Sequence, residues 1–140
     1  MHKMFGDARQ LTSLDLSNFI TSNCKDMSLM FLNCYMLKDL NLTKFDTKNV
    51  EDMSEMFNYC WQLNITGLEN FNTNKVNNMS WMFYGCFKLL DLDLSAFDFL
   101  IKCDIDKMFY GCFHLKKLKI KKEYNESFQN KISKSISIIN

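Results

Sequence analysis

The chain has 140 residues, of which 47% are hydrophobic, with 17 Lys/Arg against 16 Asp/Glu, 4 glycines and no proline. That make-up agrees with one folded domain large enough for a sizeable core and removes the usual signature of a linker. No run of about 18 apolar residues occurs, which excludes an ordinary transmembrane helix.

Charge is distributed unevenly. Residues 1–107 carry ten Lys/Arg and fourteen Asp/Glu, whereas residues 108–140 carry seven Lys and two Glu. The basic end has no aromatic pattern or motif beside it, so it reads as a solvated face and not as a nucleic-acid contact. The N-terminal stretch MHKMFGDARQ contains no continuous apolar h-region, so no secretory leader is visible in it.

A Met-Phe pair opens the chain at Met4-Phe5 and returns every 26 residues, at Met30-Phe31, Met56-Phe57, Met82-Phe83 and Met108-Phe109. A fixed period of that length predicts a stack of small units, none of which buries its apolar side alone. Four residues after each Met stands Ala8, then Cys34, Cys60, Cys86 and Cys112. An L-x-x-L-x-L segment follows, as in Leu37, Leu40 and Leu42 or Leu89, Leu92 and Leu94, with Phe19, Phe45, Phe71 or Phe97 three residues on.

The L-x-L core has the two-residue period of a strand, so Asp15, Asn41, Gly67, Asp93 and Lys119 are expected to face outward. In the third repeat the same alignment places Thr66 at an inward position. After a polar connector, Val50, Met53, Phe57 and Cys60 fall three to four residues apart, which predicts one short helix per repeat. Asp26, Asp52, Asn78 and Asp104 suit its N-cap, and Gly85 and Gly111 a left-handed stop. The fold expected is therefore an α/β repeat solenoid with one short parallel strand and one short helix per 26-residue repeat. Residues 1–124 would form five repeats, and 125–140 a capping segment in which Asn125 starts a helix with Phe128, Ile132 and Ile136 on one side. No such cap precedes Met4, so Phe5, Leu14 and Leu16 are expected to be partly uncovered and to offer an end for self-association.

The stretch MFLNCYMLKDLNLTKFDTKNVEDMSEMF from Met30 to Phe57 resembles the repeats of BspA-like leucine-rich-repeat surface proteins. The resemblance spans residues 4–120. It implies display at a cell surface or secretion, contact with a protein partner such as a host or cell-surface protein, and no catalytic residues or cofactor.

The residues themselves point the same way. The cysteine column lacks C-x-x-C ligand spacing, and parallel Cα–Cβ vectors suit a disulfide badly, so a buried, reduced ladder is expected. Cys24 takes the place of Val50 and Val76 and is expected in the core. His2 and His114 stand in the first and last repeats, too far apart for a shared catalytic or metal site. The binding surface expected is the outward strand face: Asp15, Asp39, Asn41, Asp91 and Asp93, with Lys117 and Lys119 paired across the last strands. The function expected is non-enzymatic protein interaction or adhesion; the alternative is a structural spacer with no ligand of its own.

Overall fold

The computed structural model describes residues 1–100, 102–124, 126, 128 and 136–139. Its strands are three residues each and fall on the L-x-L segments: β1 (Asp39–Asn41), β2 (Asn64–Thr66), β3 (Asp91–Asp93) and β4 (Lys117–Lys119), followed by β5 (Ser137–Ile139). All pairing is parallel, in one sheet of β1 and β2 and another ordered β3-β4-β5. Leu40, Leu92 and Leu118 are buried at the strand centres, and the residues flanking them face outward.

The third repeat departs from the alignment. Leu40 pairs with Ile65 and Asn41 with Thr66, so Ile65 takes the inward position and Thr66, expected inside, is exposed. The strand therefore runs one residue early. Gly67 absorbs the slip with a left-handed φ of 98°, and a Cβ there would lie 2.3 Å from the Thr43 amide nitrogen. Gly67, expected outside, is buried, and Leu68 returns to the core.

The largest correction concerns the helix. None of the described residues from 1 to 124 is α-helical. The segment around each Met-Phe pair is a run of interlocked turns, closed by bonds such as Met56 N to Met53 O, Asn58 N to Glu55 O and Cys60 N to Phe57 O. The intervening amides point out of the repeat and donate to the next one: Met53 to Asn78, Glu55 to Ser80, Phe57 to Met82 and Tyr59 to Tyr84, at 2.7–2.9 Å. Two residues per run are left-handed: Lys3 and Asp7, Leu29 and Asn33, Glu55 and Tyr59, Trp81 and Gly85, Lys107 and Gly111. A helix would turn every amide onto its own chain; alternate left-handed residues aim every second one at a neighbour.

The capping residues serve these turns. Oδ1 of Asp26, Asp52, Asn78 and Asp104 accepts from the amide two residues on, and the four residues form parallel bridges with one another. These are Asx turns, in which a short side chain stands in for a backbone carbonyl. Asp15, Asn41 and Asp93 close the strand ends in the same way.

Two buried polar columns tie the repeats together. Oγ1 of Thr21, Thr47 and Thr73 donates to the carbonyl of Asp46, Asn72 and Asp98 and accepts from the amide of that same residue. In the next repeat Phe99 replaces threonine and packs edge-on to Tyr124 and Phe128. The thiols of Cys34, Cys60, Cys86 and Cys112 donate to the carbonyls of Phe5, Phe31, Phe57 and Phe83, one repeat back. Between these columns the rings of Phe5, Phe31, Phe57, Phe83 and Phe109 stack at 5.3–5.9 Å.

At the C-terminal end Phe128 lies against Phe109, and β5 adds to β4. Asn125 and Ile132 of the expected cap helix lie outside the described residues. Ile136, expected on that helix, is buried next to the strand Ser137–Ile139. In the first repeat Phe5 and Leu14 are half-buried, whereas Leu16, expected to be uncovered, is fully inside.

Two substitutions test this account. Gly67→Ala forces a Cβ onto backbone in a left-handed conformation and is expected to lower unfolding free energy by about 3 kcal/mol in urea denaturation. Thr47→Val strands the Asn72 amide and carbonyl and is expected to cost about 2 kcal/mol, while Thr47→Ser keeps most of the stability.

Candidate functional site

Of the residues singled out from sequence, Asp39 and Asn41 lie on one sheet and Asp91, Asp93, Lys117 and Lys119 on the other, while Asp15 lies in the first repeat outside both. Asp39 accepts from Asn64 Nδ2 at 2.9 Å, and Asn41 from the Thr43 amide and hydroxyl. In the second sheet the register sets Asp91 opposite Lys117 and Asp93 opposite Lys119, with Lys119 Nζ 3.2 Å from Asp93 Oδ2. Burial works against the Asp93 charge, but Ser95 and Lys119 outweigh it and hold the carboxyl below its ordinary range. Asp15 is held low as well, first by the Ser17 amide. Except for Asp91 and Lys117, whose pairing is by register, each of these groups already has a polar partner within the fold. Asp15 and Asn41 also line a shallow depression with Leu14, Leu16, Ser17, Thr43 and Lys44, of about 140 Å³, well below the size that encloses a small-molecule ligand.

A second surface, missed in the sequence, lies at the tip of the turn runs. The residue after each column cysteine is Tyr35, Trp61, Phe87 or Phe113, and these rings stack at 4.2, 5.7 and 5.8 Å. Arg9, in the same column of the first repeat, lies over the outer side of Tyr35 at 5.7 Å. Beside this ladder run Tyr59, Tyr84 and Tyr110 at 5.2–5.3 Å, with Trp81 against Tyr84 and Lys107 over Trp81. Gly85 leaves room for the Tyr59 ring, which a Cβ there would meet at 2.6 Å.

Tyr35, Tyr59, Tyr84 and Phe87 are half-buried and Trp61 is 36% exposed, whereas the last-repeat rings of Tyr110 and Phe113 are 62% and 79% exposed. Tyr35, Trp61 and Phe87 are each flanked on both sides by a ring or by Arg9, so their π-faces are occupied and mainly edges meet solvent, whereas the terminal Phe113 has a ladder neighbour on one side. Such a ladder is not a platform for stacking bases or sugars. Rigid aromatic area with tyrosine hydroxyls is what protein interfaces favour. The sequence carried this signal as residue class at a fixed position, three aromatic residue types in one column.

Catalytic chemistry finds little footing. His2, Ser28 and Asp26 do meet, with His2 Nδ1 2.7 Å from Ser28 Oγ and 3.6 Å from Asp26 Oδ2. The same ring nitrogen faces both partners, and Ser28 Oγ donates to Asp26 directly at 2.5 Å. A hydroxyl–imidazole–carboxylate relay needs both ring nitrogens, so this trio clamps the first turn to the second. Among the described residues no group of three or more His, Cys, Asp or Glu side chains is arranged to hold a metal ion, and no helix is long and apolar enough to cross a membrane.

Parallel bonding at a 26-residue interval through the turn runs, together with the ring ladders, makes this a tandem-repeat protein. The family model described as "Mycoplasma protein of unknown function, DUF285" matches residues 1–123, and the chain belongs to that family. No curated protein and no solved structure matches it.

The thiol column yields a chemical prediction. Burial pushes the Cys34 thiol up to about 11 and Cys112 to about 12, and Cys60 and Cys86 well above their ordinary value. Native protein should therefore resist iodoacetamide at these four positions and react there only on unfolding. Raised folded values mean that the unfolded chain ionises first. Stability is full below about pH 9 and is expected to fall as pH rises toward 11–12, read as a lowered urea midpoint.

Proposed function

We propose that this chain is a non-enzymatic protein-interaction module, a solenoid of stacked 26-residue repeats that meets its partner through the aromatic turn face. One observation carries the reading: two ring ladders lie side by side on the turn tips of successive repeats, with Tyr110 and Phe113 largely exposed. Holding that much aromatic surface in water costs free energy, and a contiguous exposed patch of this kind marks an interaction site. The resemblance of the repeats to BspA-like surface proteins supports a partner on a host or other cell surface and display of this chain outside the cell.

The alternative, a spacer without a ligand, draws on a different observation. Polar and charged groups on the strand face bond to one another across repeats, which fixes strand order and leaves little for a partner. The two readings assign different work to different faces, and one experiment separates them.

Purified protein carrying photoreactive benzoylphenylalanine at position 61 or 113, or at 39 or 117, is incubated with cells and irradiated. Protein adducts are expected from 61 and 113 and not from 39 and 117. Phe113→Ser combined with Tyr110→Ser should lower cell binding about tenfold with an unchanged melting temperature. Adducts at none of the four positions would favour the spacer and sink the interaction reading.

A further inference from the structure

The last turn run leaves a row of backbone donors open. In the four preceding runs the outward amides each reach a carbonyl of the next repeat, as Trp81 does to Asp106, Phe83 to Met108 and Gly85 to Tyr110. Their counterparts in the fifth run are Lys107, Phe109 and Gly111, and these amides have no carbonyl partner among the described residues. The C-terminal end is nonetheless covered elsewhere. Strand β5 completes the strand side, and Phe128 closes the phenylalanine column beneath Phe109. Among the described residues no backbone carbonyl covers a step one layer deep, floored by residues 107–113 and ended by the exposed rings of Tyr110 and Phe113. The opposite end of that ladder differs, because Arg9 covers Tyr35.

We infer that this step binds a segment of a partner protein that folds into the same turn run, with its alternate carbonyls on the amides of Lys107, Phe109 and Gly111. The site continues an interface the fold already uses four times, and that continuity defines its occupant. Three carbonyls at every second residue are required, and in the internal repeats a parallel turn run supplies them. Phe128 fills the place where each internal repeat puts a phenylalanine, so the segment needs a small residue over Phe109. Four residues further on it needs an arginine or aromatic side chain, to cover Phe113 as Arg9 covers Tyr35 and each later ring its neighbour. The pattern is thus a small residue, three free positions, then Arg or an aromatic. This assignment rests on the interaction reading above and names the partner's chemistry.

The probe is a synthetic peptide copying residues 1–10 with glycine in place of Phe5, which keeps Arg9 at the required distance. It is titrated into the full 15N-labelled chain while amide exchange is followed residue by residue. In the free protein the amides of Lys107, Phe109 and Gly111 are expected to exchange rapidly, in contrast to Trp81, Phe83 and Gly85. Added peptide should slow them about tenfold and shift the Phe113 ring signals. The peptide with Arg9→Ser should bind at least about tenfold more weakly, as should Phe113→Ser protein of unchanged melting temperature. Slow exchange at the three amides in the free protein would overturn the inference, because another part of the chain would then cover them. Absence of shifts at 107–113 in millimolar peptide would overturn it too. Photo-adducts from positions 61 and 113 would still stand in either case, so loss of this inference leaves the interaction reading intact.

Discussion

Everything in this fold depends on how one stretch of backbone divides its amides. In each of the first four turn runs, every second N–H closes a turn on its own chain and the others reach the next repeat. A buried amide without a carbonyl costs free energy comparable to a lost hydrogen bond, so this division obliges the following repeat to sit in one register. The strands do not impose that order by themselves: they are three residues long and belong to two sheets. The turn runs bond to one another without a break from the first repeat to the fifth. They form the spine, and the strands are the lighter side of the stack.

The polar columns follow from the same constraint. Where the backbone alone leaves donors and acceptors unmatched, a small side chain completes the bond. Threonine hydroxyls give and accept at one residue of the next repeat, and cysteine thiols use the second lone pair of a phenylalanine carbonyl one repeat back. Both groups are compact enough to be buried between stacked phenylalanines. Their chemistry is then structural: a thiol held away from water and bonded to a carbonyl stays protonated and unreactive. What remains for function is the outside of the turn runs, where aromatic residues gather because adjacent repeats bring like positions within stacking distance.

The Met, Phe, Cys and Leu columns were legible because each repeats one residue type at one spacing; strands formed at the L-x-L segments of the second, fourth and fifth repeats, one residue early in the third, and only as an isolated bridge at Ser13 in the first. The helix was misread for a definite reason. Met53, Met56, Phe57 and Cys60 show the i, i+3, i+4, i+7 spacing of an amphipathic helix, and a chain of overlapping four-residue turns buries the same positions. Periodicity reports which side chains go inside, not where the amides point. Glycine before two of the cysteines and Asp or Asn at the matching Asp7 and Asn33 were the available hint, since these residues tolerate left-handed backbone. The slip at Ile65 was hidden similarly: aligning Thr66 with Leu40 kept the spacing regular, whereas burying an isoleucine instead of a hydroxyl moved the strand by one residue.

Sequence by itself determined the period, the number of repeats and the identity of the core, because apolar burial is roughly proportional to area and is written in composition and spacing. It also determined the charge pairs across the last strands, since a fixed period puts like positions side by side. Only the tertiary structure decided that turns and not helices carry the stack, because the partner of an amide is set by the neighbouring repeat. Only it brought the variable residues after each cysteine into one aromatic face: a tyrosine, a tryptophan and two phenylalanines become a surface when stacking sets their rings 4–6 Å apart.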